Sequence, residues 1–414
     1  MSQKSEKFKN DPQSGWPKHF LWGAASSAHQ VEGHTVDNDW WQWEQEVGAR
    51  GRAQANLATD HYRRYGEDFQ LAKKLGHTAH RLSIEWSRIE PKPGSFNLDA
   101  VKHYRRVLTT LASCGMTTFV TLQHFTLPAW LAARGGFEAK ESAYYFTRYA
   151  RYCAEEFGDL VDFWLTLNEP VIYGWMGWVN GVWPPEKKNM LLFLRVMRHM
   201  ARAHEQAYAA LHAILDTGGH TAQVGVAHNP VSWYLERPHA LLDNVFAQVY
   251  DWLRNHRIYG MTRGTHDFLG INYYFHERIK KVSLWRGAVF ADPKERLRET
   301  SDLGWEVYPA GLYDVLTDLS RYRLPMYITE NGIATRNDAQ REDFIRRSLR
   351  EVRHALDAGL DVRGYLYWSL TDAYEWEHGF SPRFGLIGID YDKGLARTVR
   401  RSAKAYADIM QPQT

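Results

Sequence analysis

Short apolar runs alternate with longer amphipathic stretches along most of this chain. Eight runs rich in β-branched and aromatic residues predict strands over residues 20–25, 79–84, 117–122, 162–167, 224–229, 268–273, 326–329 and 364–368. Between them, apolar residues recur at three- and four-residue spacing over 60–75, 99–114, 142–157, 192–215 and 341–358, the pattern of helices with one buried face. Strands alternating with helices predict an α/β protein, and eight of them favour a closed (β/α)8 barrel over an open doubly wound sheet. No Gly-rich turn follows the first run and no phosphate-binding loop motif occurs, so a nucleotide-binding open sheet is disfavoured. The 414 residues would otherwise suggest two or three domains, but a barrel reaches this length as one. The expected organisation is a flexible tail over 1–15 and a single barrel over 16–410, with the chemistry at the C-terminal face where strands end.

Charge changes this picture little. A formal net charge of +3, with both signs mixed along the chain, argues against a dedicated nucleic-acid or anionic-membrane binder. The two cysteines, Cys114 and Cys153, read as free buried thiols in a reducing compartment. The first residues lack the apolar core of a signal peptide, and no apolar run approaches the roughly 20 residues that span a bilayer, so a soluble, cytoplasmic protein is expected. The seventeen tryptophans admit two readings, a Trp-rich core or indole faces that stack on sugar rings.

The strand ends supply the chemistry. After the fourth run stands Thr166-Leu167-Asn168-Glu169-Pro170, and after the seventh Ile328-Thr329-Glu330-Asn331-Gly332. Each places a glutamate beside an asparagine at the barrel mouth, with Pro170 ending ladder pairing and Gly332 permitting a tight exit turn. Two facing glutamates suit glycoside hydrolysis, because one must hold a proton for the leaving oxygen while the other stays ionised at the oxocarbenium-like carbon. Either glutamate alone is as well read as a strand-end ion pair.

These segments resemble glycoside hydrolase family 1, the β-glucosidase and β-glycosidase family, whose signatures read Thr-Phe/Leu-Asn-Glu-Pro and Ile/Val-Thr-Glu-Asn-Gly. The resemblance runs from Trp16 to about Ala407. It includes Phe20-Leu21-Trp22-Gly23 with Gln30, Arg81-Leu82-Ser83-Ile84-Glu85-Trp86, Gly270-Ile271-Asn272-Tyr273-Tyr274 and Trp368-Ser369-Leu370-Thr371-Asp372-Ala373-Tyr374-Glu375-Trp376. It implies a retaining β-glycosidase with Glu169 as acid/base and Glu330 as nucleophile, needing no cofactor or metal. Arg81, Tyr274 and Asn272 fall among the catalytic positions, with Arg81 keeping Glu330 ionised. Gln30, His124, Asn168, Glu375 and Trp376 match residues that bind glycone hydroxyls, and Trp368 the indole beneath the ring. The implied substrates are terminal β-glucosides, with galactosides and fucosides open, and with transfer to sugar acceptors at high substrate sharing every residue. Members that act on 6-phosphosugars carry a small residue where Glu375 stands, and a carboxylate there repels a phosphate.

The chain also departs from the family. Phe125 replaces a tryptophan beside the glycone site, and residues 229–267 lack the long segment before the sixth strand, which suggests a broader leaving-group preference. Trp40, Trp41 and Trp43 are expected to pack the first loop more than to line the entrance. His199 and His204, five residues apart, miss helical zinc spacing and are expected at the surface. The rival of another class is a silent sugar-binding barrel, which would be expected to lack one or both glutamates.

Overall fold

The computed structural model describes residues 15–48, 53–218, 221–283, 287–290 and 298–411; the expected N-terminal tail lies almost entirely outside them. Eight parallel strands close into a barrel: β1 (Leu21–Ala25), β2 (Ala79–Ser83), β3 (Thr117–Gln123), β4 (Phe163–Asn168), β5 (Val224–His228), β6 (Leu269–Tyr273), β7 (Met326–Asn331) and β8 (Val362–Trp368). Each neighbours the next in sequence, and β1 pairs with β8 to close the ring. Helices follow in step: α1 (His61–Lys74), α2 (Leu98–Ser113), α3 (Ser142–Phe157), α4 (Met190–Leu215), α5 (Leu241–Asp251), α6 (Ala310–Leu319), α7 (Asp338–Asp357) and α8 (Arg401–Met410). The starts of α2, α4 and α7 follow from sequence, since Asn97, Asn189 and Asn337 each accept two backbone N–H bonds of the first turn.

Alternation along the strands divides the protein into two cores. Inward-facing Ala79, Phe119, Leu165, Ala227, Phe268, Tyr327 and Leu366 fill the lower barrel, with Phe119 and Phe163 stacked at 4.3 Å. This plug seals the N-terminal end, so polar side chains above it face only the mouth. The other strand faces meet the helices in a larger apolar shell that includes Trp164, Val226 and Ile271.

The strand pattern predicted all eight staves with boundaries off by one or two residues. Three of these eight helices were not anticipated. α8 buries mainly small residues (Ser402, Ala403, Ala405) around Tyr406 and Ile409, α6 is only ten residues long although Leu312, Val315, Leu316 and Leu319 form its buried stripe, and α5 leaves Leu241 and Val249 exposed. α5 continues through a π-helical turn, Trp252–His256, into Arg257–Met261. A small sheet of Ser232–Leu235, His276–Ser283 and Gly287–Phe290 grows from the segments after β5 and β6. It packs Ile279 and Val282 against Ala247 of α5.

Two local expectations need correction. His204 is fully buried, not at the surface, because one ring nitrogen meets the Thr166 hydroxyl at 2.6 Å and the other the Thr265 carbonyl at 2.7 Å. His199 is half-buried against the Phe137 carbonyl. Gly332 is required by crowding: a Cβ there would lie 1.9 Å from the Trp368 carbonyl oxygen. Cys114 and Cys153 are free and buried, as expected. Among the described residues, no helix is long and apolar enough to cross a membrane.

Candidate active site

Both glutamates sit where strand pairing slips. The β4–β5 register shifts between Leu165 and Asn168, and the β7–β6 register between Ile328 and Glu330. Such bulges re-aim a side chain, and here they turn Asn168 and Glu330 inward. Glu169 follows β4 with a left-handed backbone (φ 43°), and Pro170 starts the short helix Pro170–Trp175 at its first position. A non-glycine residue in that region is strained by about 1–3 kcal/mol, which the surrounding contacts must offset.

One hydrogen-bond chain joins the two carboxylates. Asn272 Nδ2 donates to Glu169 Oε1 at 2.8 Å and to Asn168 Oδ1 at 3.1 Å. Arg81 Nη2 donates to the same Asn168 oxygen at 2.6 Å, and Arg81 Nη1 to Glu330 Oε1 at 2.5 Å. The other Glu330 oxygen accepts from the Tyr274 hydroxyl at 2.5 Å. Thr121 and Thr329 hold this chain from behind, the first by accepting from Arg81 Nε and the second by donating to Asn272 Oδ1.

The two environments differ. Burial, then the charge of Glu330, pushes Glu169 up to about 8, against Asn272, Arg254 and Arg81. Burial also raises Glu330, but Arg81 and Tyr274 act against it directly through contact. Of the pair, Glu330 has the cation in contact and keeps the negative charge, while Glu169 keeps the proton. Tyr274 stays a phenol donor, since burial and then Glu330 hold its pKa far above the usual range.

The remaining predicted residues line the β8–β1–β3 side. His124 stacks at 15° on Trp368 and 14° on Trp376. Asn168 turns its oxygen to Arg81 and Asn272, so its Nδ2 donates to His124 Nε2 at 3.2 Å and places the imidazole proton on Nδ1. Burial, then Arg81, keeps that ring neutral. Its Nδ1 is buried and has no hydrogen-bond partner among the described residues. Gln30, on the turn Ala28–Val31, donates to Glu375 Oε2 at 3.2 Å and to the Tyr374 carbonyl at 2.8 Å. Burial, then Glu377, Glu330 and Glu169, drives Glu375 far above the usual carboxylate range. All eleven residues singled out in the sequence therefore gather at one mouth.

Sequence reasoning missed Trp183 and Glu377 in the ring that supports Trp376. Trp376 packs on Trp40 at 4.5 Å and on Phe125 at 5.2 Å, and Trp183 donates its indole N–H to Glu377 at 2.6 Å. Trp40 and Trp43 are packing residues, as expected. Arg254 and Asn229 on the β5–β6 side were also missed, because no motif marks them. Asp251, His256 and Asp318 bring metal-ligating groups together outside this pocket. Although burial opposes it, the two aspartates push His256 up to about 9, so it is an imidazolium tying α5 to α6.

With this geometry in place, the comparisons agree. The chain matches the profile described as glycosyl hydrolase family 1 over residues 13–248 and 253–414. The chain belongs to that family. It is 29% identical to beta-glucosidase A of Thermotoga maritima over 96% of this chain and 98% of that one. It is 30% identical to a beta-galactosidase of Pyrococcus woesei, over 91% and 93% of the two chains. A solved beta-glycosidase from Pyrococcus horikoshii superimposes with a TM-score of 0.86 at 36% identity, covering 96% of this chain and 95% of that one. This family 1 member is a glycoside hydrolase of the β-glycosidase type. The match breaks only at 249–252, in the short segment noted above.

Proposed function

We propose that the protein hydrolyses terminal, unphosphorylated β-D-glucosides with retention of configuration, Glu330 acting as nucleophile and Glu169 as acid/base. The observation that carries this reading is the Glu169–Asn272–Asn168–Arg81–Glu330 chain, which ties a proton-holding carboxyl to an ion-paired one. In the first half-reaction the Glu330 carboxylate attacks the anomeric carbon, and the carbon–oxygen bond breaks as Glu169 gives its proton to the leaving oxygen. Arg81 and Tyr274 hold Glu330 in line and release charge density as the ester forms. In the second, Glu169 as a carboxylate takes a proton from water, whose oxygen displaces the Glu330 ester and restores both groups.

Asn168 and His124 offer polar contacts to the glycone, while Trp368 offers an apolar face. Glu375 and Gln30 provide acceptors and donors at the far side, a pairing that tolerates both glucose and galactose. The negative field of Glu377 and Glu330 that helps to raise Glu375 also opposes a 6-phosphate at that end of the pocket. The test is initial rates on 4-nitrophenyl β-glucoside, β-galactoside, β-fucoside and β-glucoside 6-phosphate, with the first-formed anomer followed by NMR. Turnover of unphosphorylated sugars with the β-anomer released first is expected. An α-anomer first, or turnover of the phosphorylated sugar alone, would overturn the reading.

A further inference from the structure

Arg254 stands where the short segment between β5 and β6 meets the pocket. It lies in the π-helical turn Trp252–His256, two residues beyond the break in the family match. Single-turn π segments tend to occur at functional sites. Its own carbonyl accepts from His228 Nε2 at 3.0 Å, which fixes the turn against the end of β5. Its side chain reaches inward: Nη2 donates to Asn229 Oδ1 at 2.8 Å, and Asn229 Nδ2 donates to the Asn272 carbonyl at 2.9 Å. Asn272 is the residue that holds Glu169, so two side chains separate the guanidinium from the acid/base.

In the closed ring β5 lies opposite β1, which places Arg254 across the mouth from Gln30 and Glu375. That is the side on which Glu169 meets the leaving oxygen, a statement that rests on the proposed roles above. The second guanidinium nitrogen, Nη1, is buried and has no hydrogen-bond partner among the described residues. Two carboxylates face it. Glu169 holds a proton in the resting enzyme, and burial raises Glu277, which feels the Arg254 charge without bonding to it. An enclosed guanidinium with one donor satisfied and another unused suits an anion, because a charge-assisted bond is worth roughly twice a neutral one.

We infer that Arg254 anchors a leaving-group site for aglycones that carry a carboxylate, with its guanidinium as the donor. Asn229 holds the guanidinium at the correct angle. This assigns the short β5–β6 segment a ligand and narrows the broad leaving-group preference that its shortness suggested.

The test compares 4-carboxyphenyl β-glucoside with 4-carbamoylphenyl β-glucoside, and the corresponding 3-substituted pair, at a pH where the acid is ionised. Wild type should favour at least one acid over its amide by about tenfold in kcat/KM, the scale of one charge-assisted bond. Arg254→Gln should abolish that ratio, and Arg254→Lys should retain part of it; circular dichroism and thermal melting establish that each variant is folded. Both members of a pair use Glu169 and Glu330 alike, so a change in their ratio is not an effect on the acid/base. Equal rates on acid and amide by wild type, or a ratio unchanged in Arg254→Gln, would overturn the inference. If neither glucoside is turned over by folded wild type, the proposed function itself has failed.

Discussion

The two sides of the pocket are built differently. On the β8–β1–β3 side, Gln30, His124, Trp368, Glu375 and Trp376 touch one another, and a ring of Trp40, Phe125 and Trp183 packs behind Trp376. On the β5–β6 side, Arg254 and Glu277 stand on a π-helical turn and an outlying small sheet, with few contacts each. On the roles proposed above, the transferred sugar would meet mutually braced groups, and the leaving group a segment held by fewer hydrogen bonds. Between the two lies the Arg81–Glu330–Tyr274 cluster, on which both depend. A bond that must be made in every turnover is held by barrel strands; one that depends on the substrate chosen is held by loops.

The largest effect should come at the centre. Glu330→Gln is expected to lower kcat/KM by at least about 10⁴-fold on every glycoside, since no nucleophile remains; initial rates check this, and equal losses across leaving groups distinguish it from a binding defect. Arg81→Met should cost about 3–5 kcal/mol of stability by urea unfolding, because it leaves a buried carboxylate without its cation. It should also cut kcat by about 10²-fold or more.

Changes on the glycone side should be smaller and selective. Glu375→Gln is expected to lower kcat/KM by about ten- to a hundredfold and to alter the glucoside-to-galactoside ratio, since it fixes one acceptor oxygen as an NH2 donor and removes any charge there. The same substitution should leave the acid-to-amide ratio of the leaving group unaltered, which would keep the two sides independent.

The pH profile sharpens the comparison further. Glu169 must be protonated to assist departure, and its pKa lies at about 8, above the usual carboxylate value. Activity on substrates with poor leaving groups should therefore persist through neutral pH and fall as pH rises past about 8. Removing the Arg254 cation disfavours the Glu169 carboxylate and raises its pKa, so Arg254→Gln should move the alkaline limb to higher pH. This is the smallest effect, a shift of about one pH unit or less, read from kcat/KM profiles of a phenyl β-glucoside.

The barrel and the pocket centre were readable from the chain because their information is local. Short β-branched or aromatic runs that alternate with amphipathic stretches mark the staves, and Asn-Glu-Pro or Glu-Asn-Gly after a strand places a carboxylate at the mouth. What was not readable depends on partners distant in sequence. No residue type at 165–168 or 328–330 announces the register slips that turn Asn168 and Glu330 inward. His204 looked exposed until Thr166 and Thr265, each about forty or sixty residues away, closed on its two nitrogens. Arg254 belongs to no motif, and α5 shows exposed apolar residues where a buried stripe would have marked it as helix.

The central claim is that Glu330 forms the covalent bond to sugar while Glu169 only moves protons. Treating the enzyme with a 2-deoxy-2-fluoro-β-glucoside bearing an activated leaving group slows both half-reactions but the second more, so the ester accumulates. Intact mass followed by peptide mapping should find one fluoroglucosyl group, on the peptide containing Glu330. A label on Glu169, or steady turnover of glucosides with no trapped ester and release of the α-anomer, would contradict the account.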